Sequence, residues 1–267
     1  MTRLPRQFPR KLAAIFLLLL VVPVPTFAQS ALERVRKSGE LRIGTDATYP
    51  PLEYIEGGQF AGFEIDLGNA IGRELGARVT WINSGFDGIF PALQNGSFDA
   101  VIASVTITPE RSTSMLFSDP YYDSGQLIAV HQGTTGITAP ENLVGKKVGV
   151  QINTTAQLDL EKRQGVTVAI YNTIDLALLD LKNGRIDAVV GDAPVLRYMI
   201  RQSFRELQTV GHRFTDEKFG IAFAQSSEDL RRAVNAALWR IQDSGEYDRI
   251  HEKWFGEVAE RTADQAA

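Results

Sequence analysis

One arginine, several acids, a run of hydroxyls and two aromatic rings stand where they could hold a small zwitterion. Arg111 follows "VTITPE", Asp192 ends "IDAVVGD", Ser104 ends "FDAVIAS" and Asp46 ends "LRIGTD". Tyr49 lies beside Asp46 in "DATYPPLEY", Phe86 sits in "NSGFDG", and Thr154 and Thr155 close "QINTT". A guanidinium fork suits a carboxylate bidentately, and an acid suits an ammonium. A free amino acid offers both groups, plus a side chain that two rings can flank. Each charge-assisted hydrogen bond contributes on the order of 1.5–3 kcal/mol. Covalent chemistry has less support. His131, His212 and His251 fall in no nucleophile or metal spacing, "HEKWF" is not a zinc-binding H-E-x-x-H, and no Walker A sequence occurs. The chain has no cysteine, which excludes thiolate chemistry and disulfides.

Strand ends must carry these residues. "LRIGTD" reads as a strand and "FEIDLGNAIGREL" as a helix stopped at Gly76. Strand "RVTWIN", helix "FDGIFPALQN" and strand "FDAVIA" follow. This alternation indicates a parallel α/β sheet. The order then restarts with "KVGVQ", "TTAQLDLEKRQG", "VTVAIY", "TIDLALLDLKNG" and "IDAVVG". Residues 93–104, "LQNGSFDAVIAS", and 181–192, "LKNGRIDAVVGD", fill the same slot in the two units and share six of twelve positions. Each is expected to end a helix at Asn-Gly and to begin a buried strand. Ligands of open parallel sheets bind outside the C-terminal strand ends. The diverging last residues of the repeat, Ser104 and Asp192, fall there. The shared Asp99 and Asp187 start their strands at the opposite end and are read as structural. If Arg111 and Asp192 belong to different lobes, a zwitterion bridging them favours the closed arrangement.

Bulk properties narrow the setting. Arg3, Arg6, Arg10 and Lys11 precede "LAAIFLLLLVV", then Pro23 and a small-residue site at Thr26 and Ala28. This reads as a signal peptide over residues 1–28, because a membrane span needs about 20 apolar residues. Its removal takes away four positive charges and no negative ones, moving the net charge from −4 to −8. Such acidity argues against nucleic acid or an anionic membrane surface as partner. The absent cysteine also excludes a lipidated one at the cleavage site.

The chain resembles the family 3 periplasmic solute-binding proteins, the polar amino-acid receptors of ABC importers. The resemblance rests on "LRIGTDATYPPLEY", "GFEIDL", "DGIFPALQNGSFDAVIASVTITPERS", "FSDPYYDSGQ", "GKKVGVQINTTA" and "EYDRIHEKWFG". It implies an α/β, two-lobed periplasmic binding protein fold of type II. Each lobe would be a parallel-dominated sheet flanked by helices, with two crossover hinge strands near 125–130 and 219–224. Lobe 1 would comprise 29–125 and 222–258, lobe 2 would comprise 126–221, and 259–267 would form a flexible tail. The last two helices, which have no sheet of their own, would complete lobe 1. By resemblance, Arg111 holds the α-carboxylate, aided by N–H groups near Thr106 and Thr155. Asp192, Ser104 and Thr106 hold the α-ammonium, Tyr49 and Phe86 flank the side chain, and Asp46 faces its distal end. The implied function is periplasmic trapping of a polar or basic L-amino acid and delivery to a membrane permease, by a monomer without cofactor or metal. Two residues depart from the family pattern: Leu52 in place of phenylalanine, and Asn153 in place of glycine.

Other readings stand beside these. Asp192 could cap the helix "APVLRYMI", and Asp46 could satisfy a local turn. A cyclohexadienyl-dehydratase-like enzyme on the same scaffold would need an acid or base, and only Asp46 and Glu53 offer themselves, with no evident activating partner. A ligand-sensing receptor would need a separate signalling partner.

Overall fold

A computed structural model describes residues 29–256, so the expected leader and the 259–267 tail lie outside the described residues. The chain forms two five-stranded sheets. The first runs Arg78–Asn83, Glu40–Thr45, Ala100–Val101, Ala222–Ala224, Met115–Phe117. The second runs Thr167–Tyr171, Lys147–Gln151, Ala188–Asp192, Gln126–His131, Leu207–Val210. In both, the first three strands are parallel and the last two join antiparallel. The sheets are therefore mixed but parallel-dominated in direction, with one strand of five reversed in each. The cause is the double crossing of the chain: Gln126–His131 and Ala222–Ala224 enter their sheets just after passing from the other lobe, and so run opposite to the βαβ strands.

The crossings themselves are Tyr122–Ser124 and Glu217–Phe219, which pair antiparallel as a two-stranded sheet. They lie slightly before the segments expected from sequence, whose apolar runs turn out to be lobe strands. Tyr122 and Phe219 stack with ring centroids 5.7 Å apart. Phe63, His251 and Phe255 pack around Tyr122. Aromatic contacts of this kind add about 0.5–1.5 kcal/mol each beyond area burial, so the pivot is anchored firmly to the first lobe.

The repeat has one packing logic. Gly96 and Gly184 follow their helices at φ 75° and 68°. Phe98 and Ile186 then cover a glycine on the first strand of their lobe: a Cβ on Gly44 would meet the Phe98 ring at 2.7 Å, and one on Gly149 would meet Ile186 Cδ1 at 2.6 Å. Asp99 accepts from Arg42 N at 2.9 Å, and Asp187 accepts from Lys147 N at 2.7 Å. Asp99 also pairs with the Arg34 and Arg42 guanidinium groups. Both acids thus pin the strand starts, at the end away from the cleft.

The last two helices, Glu228–Asp243 and Glu246–Phe255, pack on the first lobe. Leu230, Val234, Leu238 and Ile241 are buried, as their spacing predicts. Leu32 N donates to Asp229, Asp119 N to Asn235, and Trp254 Nε1 to Asp66.

Candidate functional site

A pocket lies in the cleft between the sheets. Asp46, Tyr49, Glu53, Phe86, Ala103 and Ser104 line it from the first lobe, and Gln151, Thr154 and Asp192 from the second. Asp46 follows and Asp192 ends a parallel strand, as the switch-point rule requires, whereas Glu53 opens the hairpin strand Glu53–Glu56.

Asp192 is the centre of the second-lobe wall. It ends a strand whose five residues are all buried, and it occupies the N-cap position of the helix Ala193–Ser203. Its side chain makes no cap hydrogen bond, so the capping alternative is set aside. Instead it accepts from Tyr49 Oη at 2.7 Å, Ser124 Oγ at 3.0 Å and Gln126 Nε2 at 3.2 Å. Burial, and next the Glu217 charge, push its pKa up to about 7, against the pull of these donors and of Arg111.

Asp46 accepts from Thr48 Oγ1 at 2.9 Å and, across the cleft, from Gln151 Nε2 at 2.8 Å. The local turn bond and the pocket role therefore coexist. Burial raises its pKa.

Arg111 reaches the cleft from a short helix, Pro109–Ser112, capped by Thr108. Its guanidinium donates to Thr106 O and to Asn153 O, each at 2.9 Å, and so spans both lobes. It lies 5.7 Å from the Phe86 ring centroid and 5.1 Å from that of Phe90. These faces hold the fork flat and shield it from water. Asn153 takes φ 60°, so the departure from glycine keeps the left-handed turn, and its carbonyl is one of the two groups facing Arg111.

Of the nine residues expected from sequence, Asp46, Tyr49, Phe86, Ser104, Thr154 and Asp192 line the pocket. Arg111, Thr106 and Thr155 do not; they gather around Glu217 instead. Glu217 Oε2 accepts from Thr106 Oγ1 at 2.7 Å and from Thr155 Oγ1 at 2.8 Å. Thr154 donates to Gln151 O and caps the helix Thr155–Leu160.

Beneath Ser104 lies a pair of buried carboxyls that sequence reasoning did not assemble. Ser104 holds φ 50°, which turns its N–H onto both oxygens of Glu64 at 3.0 Å. Its Oγ lies 3.0 Å from Glu64 Oε1 and 3.1 Å from Glu53 Oε2. Tyr121 Oη donates to Glu64 at 2.6 Å. Burial, then the neighbouring Glu64 charge, push the Glu53 pKa well up; burial raises that of Glu64. Burial and mutual repulsion both favour a proton on this pair. Glu53 thus has the acidic partner that the sequence did not reveal. The available signal was Glu64 itself, an acid inside the apolar run "GFEIDL", which also fits an ordinary first-turn acid.

The chain is similar to known binding proteins in sequence and structure. A putative ABC transporter arginine-binding protein of Escherichia coli K12 is 39% identical over 222 residues, covering 80% of this chain and 90% of that one. An ancestral arginine-binding protein, solved bound to glutamine, is 44% identical with a TM-score of 0.79, covering 82% of this chain and 99% of that one. An ancestral amino acid-binding protein, described as a precursor of cyclohexadienyl dehydratase, is 38% identical with a TM-score of 0.79, covering 85% of this chain and all of that one. The profile of the bacterial extracellular solute-binding proteins, family 3, matches residues 41–257, and the chain belongs to that family.

Proposed function

We propose that this protein is the periplasmic binding component of an ABC importer and that it traps a basic L-amino acid, arginine foremost, between its lobes. The observation that carries this reading is the charge layout of the cleft. The Arg111 guanidinium spans the lobes there, while Asp192, Asp46 and Glu53 line the pocket. The α-carboxylate goes to Arg111 with the N–H groups near Thr106 and Thr155. The α-ammonium goes to Asp192, Ser104 and Thr106. Tyr49 and Phe86 flank the side chain, whose distal cation meets Asp46 and Glu53. Similarity to proteins named for arginine supports this choice of ligand.

The chain would be exported by cleavage near Ala28, remain free of a lipid anchor, act as a monomer and deliver its ligand to a membrane permease. A thermal-shift screen against the common amino acids tests the reading. A ligand at 100 times its Kd adds about 2.7 kcal/mol of stability. Arginine, lysine or ornithine should give the largest shift, and a shift confined to acidic or apolar amino acids overturns the assignment.

A second reading draws on the Glu53–Glu64 pair and on the resemblance to a dehydratase precursor. A carboxyl whose pKa is pushed up by burial and by Glu64, as at Glu53, is of the kind suited to general acid catalysis. The pairing of Arg111 with Asp192 favours a zwitterion over a cyclic acid, so binding without turnover is the expected result with prephenate-like substrates. Loss of carboxylate from such a substrate would sink the binding-only reading.

A further inference from the structure

We infer that Glu217 is a specificity-determining residue: through Thr106 it makes the site demand an α-amino group and discriminate against the corresponding deamino acid. The inference rests on the amino-acid reading above.

Glu217 lies on the second crossing strand, Glu217–Phe219, and is 7% exposed. Its hydrogen-bond partners are three threonine hydroxyls. Oε2 accepts from Thr106 of the first lobe and Thr155 of the second, and Oε1 accepts from Thr215 at 2.9 Å. The proton directions are set by the neighbours. Gln126 Nε2 donates to Thr155 Oγ1 at 3.2 Å, and Gln126 N donates to Thr215 Oγ1 at 2.8 Å. Both hydroxyls therefore receive from Gln126 and give their single protons to Glu217. Thr106 also gives its proton to Glu217, and among the described residues no donor reaches its hydroxyl oxygen. A hydroxyl so committed has only acceptor capacity left for any further partner.

The position of that acceptor is informative. The Thr106 carbonyl holds Arg111, the seat for a ligand carboxylate. Gln126 Nε2 ties Thr155 to Asp192 Oδ1, so one chain of bonds runs from Asp192 through Gln126 and Thr155 to Glu217 and back to Thr106. On the proposed function, the group one carbon from the carboxylate is the one that Asp192 and Thr106 receive. An ammonium satisfies both acceptors. A hydrogen or a methylene leaves them facing an apolar group, which a site built from hydrogen-bond acceptors strongly rejects. Glu217 touches no ligand in this scheme; it acts by orienting Thr106.

The test is a comparison of two ligands by titration calorimetry on the full mature protein. One is arginine, or whichever amino acid the thermal-shift screen selects; the other is the same molecule without its α-amino group. In Glu217→Gln, affinity for the amino acid should fall on the order of tenfold or more, with less than about threefold change for the deamino compound. Thr106→Val should narrow the discrimination in the same way, and Thr106→Ser, which keeps the hydroxyl, should restore it. Equal loss of both ligands in Glu217→Gln means a purely structural role and overturns the inference, as does unchanged amino-acid affinity. Thermal melting of each variant without ligand separates misfolding from lost recognition. If no amino acid binds the unaltered protein, the functional reading fails, and that outcome is distinct from failure of the Glu217 role.

Discussion

Tyr49 and Asp192 lie 143 positions apart in the chain, yet the phenol of the first lobe donates to the carboxylate of the second at 2.7 Å. The bond joins the end of a first-lobe turn to the end of a second-lobe strand. It also opposes the burial that would otherwise neutralise Asp192 further.

Affinity should depend on pH through that carboxylate. The folded pKa of Asp192 is raised to about 7, mainly by burial. The ionised form takes the ligand ammonium, so a proton must leave below that pH. Calorimetry between pH 5.5 and 8 should show affinity rising with pH and levelling above 7, with a slope of up to about tenfold per unit at the acid end. Asp192→Asn should flatten the profile and weaken binding throughout. A flat profile in the unaltered protein would contradict the assignment.

Arg111→Ala should abolish amino-acid binding while leaving the circular dichroism spectrum intact. Arg111→Lys should lose at least about a hundredfold, roughly 2.7 kcal/mol. A lysine cannot give two fixed donors to Thr106 O and Asn153 O, nor lie flat on Phe86 and Phe90. Undiminished affinity in the alanine variant would place the ligand carboxylate elsewhere.

The buried Glu53–Glu64 pair makes a stability prediction with a definite sign. The folded pKa values of both groups lie above their ordinary range, so the native state holds protons that the unfolded chain releases. Their contribution is fully present below the unfolded pKa of about 4.3 and is lost as pH rises through the folded values. Glu53→Gln removes the extra acid but keeps a polar group. Melting curves should show the variant gaining relative to the unaltered protein as pH rises from 5 to 8. The opposite trend would mean that Glu53 is ionised in the fold.

Asn153 stands at φ 60°, where a β-branched side chain is strained. Asn153→Val should cost about 1–3 kcal/mol by denaturant unfolding. Asn153→Gly should stay within about 1 kcal/mol, since relief of the left-handed geometry is offset by a freer unfolded chain. Both keep the carbonyl that receives Arg111, so ligand affinity in Asn153→Gly should hold.

Much of the scaffold was legible because periodicity and punctuation report it directly. The stop at Gly76 and the stripe from Leu230 to Ile241 both appear as spacing predicts. The repeat located the strand ends because its glycine and its Phe98 or Ile186 serve local packing. The strand directions were less legible. Pairing sense depends on where the chain crosses between lobes, and an apolar run such as 126–131 looks the same in either orientation. The polar second layer was less legible still. Glu64 and Glu217 acquire meaning only when Ser104, Thr106 and Thr155 arrive from distant segments, and no local pattern marks a surface acid apart from a buried one.

The place of Ala222–Ala224 has a consequence for how the molecule is made. That strand sits between Ala100–Val101 and Met115–Phe117, although it follows all of the second lobe in the chain. A polypeptide emerging from its N-terminus can therefore finish the second sheet while the first still has a gap in it. The first-lobe sheet closes only once residue 224 has appeared, and the two terminal helices then seal it. A chain halted near residue 215 would carry one completed lobe and one open seam, with the apolar flank of that seam exposed to whatever chaperone or protease meets it.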